Sequence, residues 1–144
     1  MSAQHLEGEA LGLASQLTLK SGRRGRPLMP RVRDNGRALV RSYRALVPVV
    51  GKRATAPPAA QWLVDNFHVV ESALRLVRSD LSRAFYRDLP KLATGPFAGF
   101  PRVLAIMDAF IGHTDGRVEM AELRAFLVAF QRIEPLTIGE LWAI

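Results

Sequence analysis

Apolar positions along the chain recur at helical rather than strand spacing. Leu6, Ala10, Leu13 and Leu17 are separated by 4, 3 and 4 residues, which places them on one face of a helix over about 3–17. Gly8 and Gly12 weaken that helix by roughly 1 kcal/mol each relative to alanine, so it needs a partner surface to persist. A second helix is predicted over 36–47, closed by Pro48 and the GKRATAPP stretch. The strongest pattern follows Pro57 and Pro58, where Leu63, Phe67, Val70, Leu74, Val77 and Leu81 repeat at 4, 3, 4, 3, 4. Trp62, Val69, Ala73 and Leu76 widen this stripe, making residues 58–79 the expected centre of the fold.

Beyond a short helical turn at 81–89, PKLATGPFAGFP is broken by Pro and Gly and is predicted to be irregular. A buried helix is expected over 102–111, with Val103, Leu104, Ile106, Met107, Phe110 and Ile111. Another, over 119–133, carries Leu123, Phe126, Leu127, Phe130 and Ile133 on one stripe. Its Glu119, Glu122 and Arg132 suit the helix dipole. Thr137 and Glu140 form a capping-box pair before Leu141, Trp142 and Ile144, an apolar face that stops two turns in; more protein is therefore expected to follow. No stretch alternates with period two. The expected fold is all-α, an irregular bundle or array of about five to six helices, with Leu63, Phe67, Val70, Leu74 and Phe126 in its core.

Charge divides the chain. Residues 1–60 hold 11 Lys/Arg against three acids, whereas 61–144 hold nine against ten. The basic excess belongs to an N-terminal arm centred on Ser21–Gly36, expected to be partly extended. This suggests two parts: 1–56, a helix and basic arm or linker, and 57–144, a helical module truncated at its C-terminal end. At 144 residues and 49% hydrophobic composition the chain can bury a core. It has no cysteine, no secretory leader pattern and no apolar run of about 18 residues, so a soluble fragment is expected.

Candidate chemistry is sparse. HTDGRVEMAE resembles half of a calcium loop: with Gly116 at loop position 6, Asp115, Val118 and Glu122 fall correctly, but Ile111 and His113 stand where two ligands belong. A plain turn between helices is the expected reading. Asp65, His68, Ser72 and Arg75 share a face of the 58–79 helix, yet lack paired-His spacing and read as a polar flank. RRGRP, with Arg31, Arg33, Arg37, Arg41 and Arg44, is a footprint for polyanions: nucleic acid, an anionic membrane surface, or a docking face on another domain. Tyr43 is the one aromatic among these residues, which disfavours a base-stacking platform. No phosphate loop, nucleophile elbow or HExxH helix occurs. No catalytic, cofactor-binding or metal-binding residue is assigned.

WLVDNFHVVE (62–71), FYRDLPKLA (85–93), GFPRV (99–103), HTDGR (113–117) and PLTIGELWAI (135–144), with GRPLMPRVRDNGR (25–37), resemble in order the N-terminal region of cyclic β-1,2-glucan synthases. That resemblance implies a large bacterial inner-membrane glycosyltransferase. Such enzymes polymerise glucose from UDP-glucose on the cytoplasmic side, first onto a protein tyrosine, with a divalent metal, and then cyclise the chain. The family's Asp-x-Asp and Gln-x-x-Arg-Trp type motifs do not occur here, and QRIEP at Gln131 is not one of them. Neither Tyr43 nor Tyr86 is assigned as the primer. The implied role is a non-catalytic helical segment whose partners are the remaining domains of the synthase. The alternative is an independent basic helical protein that binds polyanions.

Overall fold

The computed structural model describes residues 3–51, 56–114 and 116–144. They form eight helices: α1 (Ala3–Gln16), α2 (Met29–Val50), α3 (Pro58–Asp65), α4 (Phe67–Asp80), α5 (Arg83–Asp88), α6 (Arg102–His113), α7 (Met120–Phe130) and α8 (Ile138–Ala143). Among the described residues no strand forms; two isolated bridges join Leu19 to Leu92 and Lys91 to Pro101. The chain is all-α, as its periodicity predicts.

Contacts group the chain otherwise than at the expected 56/57 division. Met1–Arg26 and Arg83–Ile144 make one compact unit, and Pro27–Ser82 makes the other. In the larger unit the apolar face of α1 meets a partner. Leu6, Ala10 and Ala14 are buried with Ile106 and Phe110 of α6 and with Leu123, Phe126, Ala129 and Phe130 of α7. The small side chains at 10, 14 and 129 let α1 and α7 approach closely. Phe110 and Phe126 meet edge to face, 5.5 Å between centroids.

The main core therefore lies here, not around 58–79. Of the expected core residues, Phe67 and Phe126 are buried, whereas Leu63, Val70 and Leu74 are half-buried.

The irregular segment after α5 is held by main-chain hydrogen bonds. Lys20 N donates to Lys91 O (2.8 Å), Ala93 N to Thr18 O (2.8 Å), Leu92 N to Phe100 O (3.0 Å) and Gly99 N to Leu92 O (2.8 Å). Gly99 has φ 80°, a conformation that a side chain disfavours. Leu89, Leu92 and Phe100 are buried beneath it.

The smaller unit corrects two expectations. The second helix starts at Met29, seven residues before the expected Gly36, with Pro30 in its first turn, where a missing N–H costs nothing. It also runs through Pro48 to Val50, although Pro48 has no N–H to donate to the carbonyl four residues back. The expected 58–79 helix divides at Asn66, whose backbone (φ −113°, ψ 19°) leaves helical geometry. The Asn66 side chain donates to Trp62 O at 3.0 Å beside its own backbone N–H at 2.9 Å, so both satisfy one carbonyl at the end of α3. Gly36 on α2 lies under Leu74 of α4; a Cβ there would sit 3.2 Å from Leu74 Cδ1. Tyr43 stacks on Phe67 at 4.1 Å.

Candidate functional site

Extending α2 back to Met29 turns half of the basic arm into a helix face. Arg33, Arg37, Arg41 and Arg44, spaced 4, 4 and 3, fall within one arc of a 3.6-residue helix. They border a groove of about 720 Å³ together with Gly36 and Val40. The opposite wall is α4, which contributes Leu74, Arg75, Arg78 and Glu71. Six guanidinium groups thus share the groove with one lining carboxylate. Among the described residues only Arg37 of the six is ion-paired, to Asp34 at 3.3 Å on the solvent side. Arg75 donates to Ser72 Oγ at 3.1 Å. The arrangement can bind anions, with the Glu71 carboxylate the one acid on its lining.

The other part of the arm, residues 21–27, is exposed and non-helical, and it is tied down at several points. Arg23 pairs with Asp88 at 3.2 Å, Arg26 N donates to Gly99 O at 2.7 Å, and the Arg26 guanidinium lies 4.9 Å from the Phe100 ring centroid. Gly25 fits against the 89–101 segment so closely that a Cβ would lie 2.5 Å from Gly99 O.

Of the Asp65, His68, Ser72 and Arg75 set, only Ser72 and Arg75 are joined by a hydrogen bond. Asp65 ends α3 and accepts from Gln61 at 2.8 Å, while His68 and Ser72 lie exposed on α4. Of the calcium-loop residues, Asp115 lies outside the described residues. Gly116 makes a turn with φ 78°, and Thr114 Oγ1 donates to Phe110 O at 3.0 Å, closing α6. His113 Nε2 is 3.2 Å from a Glu9 carboxylate oxygen. Among the described residues no group of three His, Cys, Asp or Glu can hold a metal ion.

Two buried polar arrangements carry no sequence signal. Arg102 binds both oxygens of Glu140, at 2.9 and 2.8 Å, and donates to Pro135 O at 3.0 Å. Lys91, 1% exposed, donates through Nζ to the carbonyls of Tyr86, Arg87 and Leu89, the unpaired acceptors at the end of α5. Burial lowers the Lys91 pKa, opposed by nearby Asp88. Tyr86 donates its hydroxyl to Arg26 O at 2.6 Å, and burial pushes its pKa up to about 12. Both arrangements are structural in geometry.

No protein-family model matches the chain. It is 42% identical over 114 residues to the cyclic beta-(1,2)-glucan synthase NdvB of Rhizobium meliloti (strain 1021). The aligned stretch is 79% of this chain and 4% of that protein. The chain is related to one segment of that synthase. No helix among the described residues is long and apolar enough to cross a membrane.

Proposed function

We propose that this chain is a non-catalytic helical segment of a cyclic β-1,2-glucan synthase, working through contacts with the rest of that protein. The observation that carries the reading is the 42% identity over 114 residues to such a synthase. Exposed apolar side chains support a docking role: Trp62 is 55% exposed, Leu76 61%, Ile138 75% and Trp142 81%. In this reading UDP-glucose and a divalent metal are handled elsewhere in the synthase. The segment lies on the cytoplasmic side of the bacterial inner membrane, against the remaining domains.

The test is a segment exchange. Inserted into a synthase that lacks its own matching stretch, this chain is expected to restore cyclic glucan production. A chimaera that accumulates normally and makes no glucan overturns the reading. Transfer of labelled glucose from UDP-glucose by the purified chain alone overturns its non-catalytic part. The arginine groove favours a second reading, an independent polyanion-binding protein, under which the exchange fails while anion binding persists.

A further inference from the structure

We infer that the groove between α2 and α4 is a binding site for a ligand carrying two or more phosphate groups. Arg33, Arg37, Arg41 and Arg44 line about 16 Å of one wall at 1.5 Å per residue, and Arg75 and Arg78 face them from the other. Neighbours at i,i+3 and i,i+4 repel one another, and among the described residues only the Arg37–Asp34 pair offsets this inside the unit. Glu71 is the only acid on the lining. Such a concentration of like charge is relieved by a bound polyanion.

Residue type narrows the ligand. Every cation in the groove is arginine, whose planar fork matches phosphate oxygens two at a time, where lysine offers only a point charge. Gly36, Val40 and Leu74 leave a concave site, which suits a discrete phosphate chain or headgroup entering between the helices. Nucleic acid is disfavoured. No aromatic residue lines the groove, and Tyr43, next to these arginines in sequence, stacks one face on Phe67 at 4.1 Å with an interplanar angle of 15°, so the groove itself offers no base-stacking platform. The same phosphate chemistry is available from a free oligophosphate or from a phospholipid headgroup. The inference stands on the groove alone and does not rest on the glucan-synthase reading.

The experiment is calorimetric titration of the full chain with sodium tripolyphosphate, beside co-sedimentation with phosphatidylcholine vesicles containing or lacking cardiolipin, a lipid with two phosphates in its headgroup. Two double variants remove equal charge: R41A/R78A inside the groove, and R117A/R124A, exposed residues of the other unit. Binding is expected to weaken steeply with salt. It should fall about tenfold or more in R41A/R78A and less than about threefold in R117A/R124A. R41K/R78K, which keeps the charge and loses the forks, should lie between wild type and R41A/R78A. Tripolyphosphate binding assigns the site to free phosphate chains; binding to anionic vesicles alone, abolished by R41A/R78A, assigns it to headgroups. Equal losses in the two alanine pairs, or no binding to either probe, overturn the inference. So does duplex DNA binding that survives R41A/R78A and exceeds tripolyphosphate binding at equal phosphate concentration. All four substituted arginines are exposed, and an unchanged helical circular dichroism spectrum confirms that the variants fold.

Discussion

Arg102, the first residue of α6, and Glu140 in α8 form a buried two-point ion pair across 38 residues of chain. Their side chains are 3% and 0% exposed. Glu140 also accepts from Thr137 N at 2.9 Å, so one carboxylate completes the α8 capping box and ties that short helix to α6. A helix of six residues has little stability of its own; the ion pair and cap supply its anchor.

Arg102→Ala should cost about 3–5 kcal/mol, because it leaves a buried carboxylate without its partner. Replacing both residues by methionine should cost less than either single substitution, since no uncompensated charge remains. Urea midpoints of the three variants check this; additive losses would contradict it.

Phe126, fully buried between α1 and α6, should lose about 3–5 kcal/mol as Phe126→Ala. Leu74 is only half-buried against Gly36, so Leu74→Ala should cost about 1–2 kcal/mol, less than a fully buried leucine would. Chemical denaturation of the two variants gives the ranking directly.

The glycines separate by environment. A Cβ at Gly8 or Gly12 meets nothing within 4 Å, so each alanine substitution in α1 should stabilise by up to about 1 kcal/mol. Gly25→Ala should destabilise, because its Cβ would collide with the Gly99 carbonyl at 2.5 Å. Thermal midpoints moving in opposite directions are the expected result.

Tyr86 provides a pH signature. Its folded pKa, raised by burial from 10.0 to about 12, means that the folded state keeps a proton which the unfolded chain releases. That contribution to stability is complete below pH 10 and disappears as pH rises through about 12. Phenolate absorbance should show a late step that Tyr86→Phe removes. The same substitution should cost about 1 kcal/mol at neutral pH, through the lost hydrogen bond to Arg26 O.

The helical class, the α1, α6 and α7 stripes and the Thr137–Glu140 cap were legible in the sequence because each depends on residues within a turn or two of one another. Arg37, Arg41 and Arg44 already fell on one face of the helix predicted over 36–47, and Arg33 joined them only because the helix reaches back to Met29. Which stripe forms the main core is a question of partners. The 58–79 pattern is the more regular, yet Leu6, Ala10 and Ala14 meet α7 closely enough to be buried, while Leu74 over Gly36 is left half-buried. The groove needed α4 opposite α2, and the burial of Arg102 needed Glu140, brought from 38 residues away. Periodicity reports which face of a segment is apolar; only packing decides what that face meets, and therefore which charges are buried, paired or left to meet a ligand.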